Sequence, residues 1–453
     1  MERASFSNRL GFILAAAGSA VGLGNIWRFP YLAGENGGAI FLVIYLLCVL
    51  LLCLPVMVGE ITIGRNSASD SVTAFEKIGG AGWRWLGAYG MITAVFILSF
   101  YCVIAGWALE YFIQISFGDR LTEPKLGGFA EYTNNITANL LYSSVFVALT
   151  AWVVMKGVTK GIEAANKIMM PALFVILIGL IVYSLTLPNA SAGLSFYLIP
   201  DFSELNSQTI FNGLKQSFFS LSLGTGTIMT FGSYLSKKEN IVSSSVVIAL
   251  ADTSVAFLAG LMVFPLVFSQ NMSPTEGPAL VFLVLPKVFF SLGPLWGKVI
   301  GGLFFLLLCF AALTSTISLL EGPTTYLVDR KKMKRGNAVW LLAAIVFVFS
   351  IPSVISQGVF PALNKLGFYK GRDFLTFISD LCDISLVIWG GLMCIVISQF
   401  WTSKRFDEEV AIGHESYRSS SIRKYLKITL TLICPVLLAI MVVLITYDKV
   451  IGL

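Results

Sequence analysis

The residues best placed to do chemistry lie in a run that should not survive in lipid. Gly18 to Pro30 reads GSAVGLGNIWRFP, inside an apolar block near the N-terminus. Three glycines, an asparagine, an arginine and a proline interrupt what would otherwise be a membrane helix. In a bilayer core every backbone N–H and C=O needs a partner, so such a break persists only where it lines a cavity. A second break, Ser220-Leu-Ser-Leu-Gly-Thr-Gly226, repeats the pattern later in the chain. Half-helix N-termini offer N–H groups to an anion, and unwound carbonyls offer oxygen ligands to a cation. Close helix packing at small residues explains glycines too, but not Asn25 and Arg28 beside them.

Ionisable groups at membrane depth point the same way. Asp252 sits in VIALADTSVAF and needs a cation or donor partner. Glu60, in VMVGEITIG, has the chemistry to accept N–H groups freed by an unwound neighbour. Arg28 with an outer-half carboxylate of the Asp380/Asp383 segment would form a latch above a midplane site. Glu110 and Glu321 lie nearer span ends, where snorkelling is the simpler account. The hydroxyls Thr314, Ser315 and Thr316 either bond back to their own helix or complete an oxygen shell for a small hard cation.

These residues require a polytopic helical frame. Of 453 residues 56% are hydrophobic and 12% charged, with a mean hydropathy of +0.82; a soluble chain is about a quarter charged. The apolar blocks are long enough for helices of about twenty residues, and no period-two barrel pattern occurs. Eleven spans are expected, at 10–35, 39–64, 84–116, 138–156, 161–187, 210–236, 241–270, 296–328, 337–356, 373–402 and 424–447. Most loop Lys and Arg, above all DRKKMKR at 329–335, then fall on the side of the N-terminus, which is expected to be cytoplasmic. The broken spans 1 and 6 are five apart and cross in opposite directions, which points to an inverted repeat with a site between them. The chain reads as one transmembrane domain, with repeat one about 10–187, repeat two about 210–402 and an extra helix about 424–447. The seven cysteines lie in apolar stretches without metal-ligand spacing, and the single His414 sits in a charged loop. Enzyme chemistry and nucleic-acid binding therefore have no support.

The same motifs carry a resemblance. GSAVGLGNIWRFPYLAGENGGAIFLVIY, QSFFSLSLGTG, GPALVFLVLP and FAALTSTIS together resemble the neurotransmitter:sodium symporter family, whose members have the LeuT fold. The resemblance covers essentially the whole chain. It implies an all-α membrane protein with a 5+5 inverted repeat and helices 1 and 6 broken. The first sodium site would use the Ala20 carbonyl, Asn25, Ser220 and Asp252, plus the substrate carboxylate. The second would use carbonyls of Gly18, Val21 and Ala311 with the Thr314 and Ser315 hydroxyls. Ser19, Ala20, Leu23, Gly24, Ile97, Tyr101, Phe219, Ser220, Ser222, Thr225, Ser315 and Leu319 would line the substrate pocket.

This sequence departs from the family pattern at Asp252, where asparagine is usual, and at Ala256, where a chloride-site serine is expected. The expectation is therefore chloride-independent transport with two co-transported Na⁺ ions. Gly22 replaces the aspartate of monoamine carriers, which argues for a small neutral, hydrophobic amino acid as substrate. Arg28 with Asp380 would be the outer gate, with Asp383 as the alternative, and Arg3 with Asp329 the inner one. Phe6 stands where the family often has tryptophan. Gly161 and Pro171 in span 5 resemble an element that unwinds toward the second sodium site; an ordinary proline kink is the other reading. The function expected is sodium-coupled import across the cell inner membrane, with membrane lipid as the other partner and the oligomeric state open. A proton-coupled carrier, with Asp252 or Glu60 protonated, and a non-transporting amino-acid sensor are the alternatives.

Overall fold

The computed structural model describes residues 6–119, 121, 128–275, 280–357, 360–367, 371–399, 403–414 and 416–446. The described residues are helical, with one isolated β-bridge between Leu366 and Arg372. Among the described residues, nine helices are long and apolar enough to cross a membrane, and ten if the bent pair Arg9–Ala20 and Gly24–Glu35 counts as one span. That pair is span 1, bent by 44°. Spans 2 to 5 are Ala39–Ser67, Ala81–Ser116, Ile136–Met155 and Val158–Leu185, and span 7 is Ile241–Ser269. Spans 8 to 11 are Pro294–Asp329, Arg335–Ile355, Phe374–Gln399 and Ser421–Leu444. The expected span 6 consists of two helices, Ser207–Ser220 and Thr227–Gly232, each too short to cross alone.

The breaks follow from local backbone chemistry. Span 1 leaves the helix at Val21, whose extended backbone (φ −70°, ψ 102°) stops the ladder. In span 6, Ser222, Gly224 and Gly226 all take positive φ, at 53°, 83° and 73°. Glycine adopts this region freely. Ser222 does not, and its hydroxyl is held by donation to the Ser19 carbonyl at 2.8 Å.

Spans 3 and 8 are the most deeply buried of the nine long helices, with 78% of the most apolar stretch of each buried. Both broken spans lie within this frame: the segments around each break are buried almost without exception. Between spans 7 and 8, the apolar helix Leu280–Ser291 packs inward, and Tyr111 of span 3 donates to its Phe282 carbonyl at 2.9 Å. Residues 276–279, which precede it, lie outside the described residues. Span 5 begins with a widened helical turn, Val158–Glu163, and contains Pro171 within the helix. A Cβ on Gly161 would lie 2.1 Å from the Val153 carbonyl, so only glycine permits this approach of spans 4 and 5.

Candidate functional site

The first group of oxygens forms where the break of span 1 meets spans 6 and 7. The Asn25 carboxamide donates to Ser220 Oγ at 2.9 Å and to Asp252 Oδ1 at 2.7 Å. Ser220 Oγ also donates to the Asp252 carboxylate, at 2.8 Å. Asn25 Oδ1 accepts the Gly22 N–H at 2.9 Å, which closes a tight turn around the break. All three side chains are buried. Tyr45 of span 2 adds a further donor to Asp252 Oδ2, at 2.9 Å. A lone tyrosine in an apolar run reads as packing, so Tyr45 does not stand out before the fold places it here.

A cradle of backbone and hydroxyl groups lies beside this group. The Leu23 N–H donates to Tyr101 Oη at 2.7 Å. A Cβ on Gly22 would meet Ser315 Oγ at 2.1 Å and Tyr101 Oη at 2.5 Å. No side chain fits at position 22 as these residues pack. The cradle presents backbone and hydroxyl groups instead, the donors that a carboxylate requires.

The other expected pocket residues line one cavity of about 20 Å³ next to the cradle. Ser19, Ala20, Gly24, Ile97, Tyr101, Phe219, Ser220, Ser222, Thr225, Ser315 and Leu319 are on its wall, and Leu386 of span 10 joins them. Leu23 takes part through its backbone N–H alone. Leu386 reaches the wall because Gly224 lets span 10 approach: a Cβ there would lie 2.7 Å from the Leu386 carbonyl. The Thr225 hydroxyl turns back onto the Ser222 carbonyl, at 3.1 Å. Glu60 steadies the same loop by accepting the Gly224 N–H at 2.9 Å.

A second group of oxygens joins the end of the first half-helix to span 8. Thr314 Oγ1 lies 3.1 Å from the Val21 carbonyl and 2.9 Å from the Ala311 carbonyl. Ser315 Oγ donates to the Ser19 carbonyl at 3.2 Å. Gly18 completes the turn, and the Asn166 side chain of span 5 packs onto its backbone. A Cβ on Gly18 would lie 1.9 Å from Asn166 Oδ1.

Aromatic rings close both sides. The Phe219 and Tyr101 ring centroids are 6.3 Å apart, and the Arg28 guanidinium sits 4.3 Å above the Phe219 ring. Arg28 forms a two-pronged ion pair with Asp383, one prong at 3.0 Å. Asp380 faces Arg372 instead, at 3.3 Å. The expected Arg28–Asp380 pair is therefore corrected to Arg28–Asp383. Three helical residues rotate the heading by about 300° and advance about 4.5 Å, just under one turn, which carries Asp383 to span 1 and leaves Asp380 at the rim. On the opposite side, Phe6 packs edge-on against Phe12, Phe231 and Tyr234. Arg3 lies outside the described residues, so its expected partnership with Asp329, the last residue of span 8, is not described.

Two carboxylates assigned to span-end solvation are buried. Glu321 is 0% exposed; it accepts from Tyr234 Oη at 2.9 Å and pairs with Arg335. Glu110 is also buried, on the wall of a cavity shared with Gln114 and Asp119. The partners of Glu321 come from other segments, which spacing within one span does not reveal.

Residues 3–127 and 128–450 match the model of the sodium:neurotransmitter symporter family. A sodium-dependent transporter of Bacillus subtilis, YhdH, is 40% identical over 379 residues, covering 82% of this chain and 83% of its own length. One from Methanocaldococcus jannaschii is 33% identical, covering 86% of this chain and 82% of its own length. The crystal structure of MhsT in complex with L-phenylalanine superposes with a TM-score of 0.90 at 40% identity, covering 98% of this chain and 99% of that one.

Proposed function

The chain belongs to the sodium:neurotransmitter symporter family, a family of sodium-coupled membrane symporters and not of enzymes, and on that footing we propose that it imports a neutral, hydrophobic amino acid together with two Na⁺ ions. The carrying observation is that the Asn25–Ser220–Asp252 cluster adjoins the cradle of Gly22, Leu23 and Tyr101. The substrate carboxylate in that cradle lies next to the Ala20, Asn25, Ser220 and Asp252 oxygens and becomes a ligand of the first sodium. Coupling is then direct: each charge lowers the free energy of the other. The second sodium takes the Gly18, Val21 and Ala311 carbonyls with Thr314 and Ser315. Oxygen ligands without a carboxylate suit a monovalent ion better than Ca²⁺.

Asp252 supplies a fixed negative charge beside the first sodium, and Ala256 has no donor for an anion, which together support chloride-independent transport. The apolar wall of Ile97, Phe219, Leu319 and Leu386 supports an apolar side chain, as does the bound L-phenylalanine of MhsT. Alternating access follows from the two closures. Arg28 and Asp383 with Phe219 form the outer gate, and Arg3 with Asp329 the inner one. The break in span 6 mirrors that in span 1, which supports two inverted repeats, about 10–187 and 210–402, plus the helix about 424–447. Gly161, Pro171 and the widened turn of span 5 support an unwinding that wets the second sodium site. The basic loops support an N-terminus on the cytoplasmic side of the inner membrane.

Uptake of a radiolabelled amino acid into proteoliposomes tests this reading. An inward sodium gradient at uniform pH drives accumulation, with equal rates in chloride and gluconate. Accumulation driven only by a pH gradient contradicts sodium coupling. A clear fall in gluconate contradicts the role given to Asp252.

A further inference from the structure

Two cavities meet at Asp407, where span 10 hands over to span 11. One, of about 290 Å³, is a groove between the two spans, with Ile397, Phe406, Leu426 and Leu430 on its wall and Lys427 at its edge. The other, of about 220 Å³, is a polar cleft lined by Lys404, Asp407, Glu408, Arg418 and Arg423. Both lie at the membrane face that carries the 329–335 loop, because spans 9 and 10 cross out and back between them.

We propose that the groove and the cleft together bind one anionic phospholipid, with an acyl chain in the groove and the phosphate in the cleft. Charge complementarity supports this occupant. Asp407 is already engaged, by Arg423 at 2.7 Å and by Tyr417 Oη at 3.1 Å. Among the described residues, Lys404, Arg418 and Lys427 have no carboxylate within ion-pair distance. Glu408, the remaining acid of the cleft, is exposed and can accept hydrogen bonds from headgroup hydroxyls, as phosphatidylglycerol would offer. Basic pockets between membrane helices at this level bind anionic headgroups. Span 11 also has the smallest buried share of the nine long helices, 33%, so lipid reaches the groove directly. The polar cleft alone would suit a free phosphate, and the groove alone a second copy of the chain. Their continuity at one interface favours a molecule with both parts.

Native mass spectrometry of the detergent-purified full chain, titrated with phosphatidylglycerol, phosphatidylethanolamine or phosphatidylcholine, tests the site. Phosphatidylglycerol is expected to bind at least fivefold more tightly than either other lipid. The double variant Lys404→Glu/Arg418→Glu should lose that preference, while Lys331→Glu/Lys332→Glu on the neighbouring loop should keep it. If the charge reversals do not fold, Lys404→Gln/Arg418→Gln carries the same test. Ser398 also lines the groove, and Ser398→Trp, which fills it, should weaken lipid binding at least threefold and leave thermal protection by glycerol 1-phosphate unchanged. Equal binding of the three lipids overturns the proposal, as does retained preference in the cleft variants. Protection by glycerol 1-phosphate as strong as by the lipid would make it a free-anion site, and a dimer unaffected by lipid would make the groove a self-interface.

Discussion

The Asp252 carboxylate and the Asn25 carboxamide lie 2.7 Å apart, joining span 7 to the break of span 1 at a buried point. The Asn25 carboxamide donates an N–H, and the Asp252 carboxylate accepts it. They satisfy each other, and they present oxygens to a cation. The site is thus preorganised by contacts that a sodium ion would share rather than by contacts it would have to create.

Replacing Asp252 by asparagine keeps the shape and removes the charge. A unit charge about 4 Å from a cation contributes about 4 kcal/mol at an effective dielectric near 20, and about 1.4 kcal/mol is a tenfold change. Asp252→Asn should raise the sodium concentration for half-maximal uptake at least tenfold. Sodium titration of uptake reads this directly; an unchanged sodium dependence removes Asp252 from the ion site.

The Arg28–Asp383 pair is buried, so removing one partner leaves an uncompensated charge, at about 3–5 kcal/mol. Asp383→Asn should cut uptake at least tenfold. Asp380→Asn, at the rim with Arg372, should stay within twofold. Equal losses in both variants would mean that the outer closure does not depend on this pair.

Thr225 and Leu386 both line the narrow cavity. Thr225→Phe adds a ring where little space exists, and overpacking of this kind costs about 1–3 kcal/mol. Competition uptake should show large apolar substrates losing at least tenfold against alanine. A uniform loss across side-chain sizes would place Thr225 outside the specificity wall.

Much of this site can be read in the sequence because lipid penalises what function needs. Helix breakers at Gly22–Gly24 and Ser222–Gly226, and a lone carboxylate at Asp252, stand out against apolar surroundings. What escapes is the partner supplied by another span. Tyr45 looks like packing until span 7 is beside it, and Leu386 becomes pocket wall only because Gly224 admits it. Asp380 and Asp383 differ by less than one helical turn, and only the rotation of span 10 separates them. Glu321 looks solvated until Tyr234 and Arg335 close over it.

Gly18 illustrates the same point at backbone level. Its missing Cβ leaves room for Asn166, and the added atom would sit 1.9 Å from Asn166 Oδ1. Gly18→Ala should lower the melting temperature and abolish uptake, with Asn166→Ala in the same chain restoring part of the melting temperature. Thermal unfolding of the single and double variants reads the coupling; additive effects would contradict the contact.

The most direct test of the central claim is thermal stabilisation of the purified protein by each of the twenty amino acids, in sodium and in choline. A ligand that binds only the folded state raises the melting temperature, by an amount that grows with the logarithm of its concentration relative to Kd. The account predicts a rise with neutral apolar amino acids that requires sodium, because the substrate carboxylate and the ion share one coordination shell. Stabilisation of equal size in choline, or stabilisation only by amines or acidic amino acids, would contradict it.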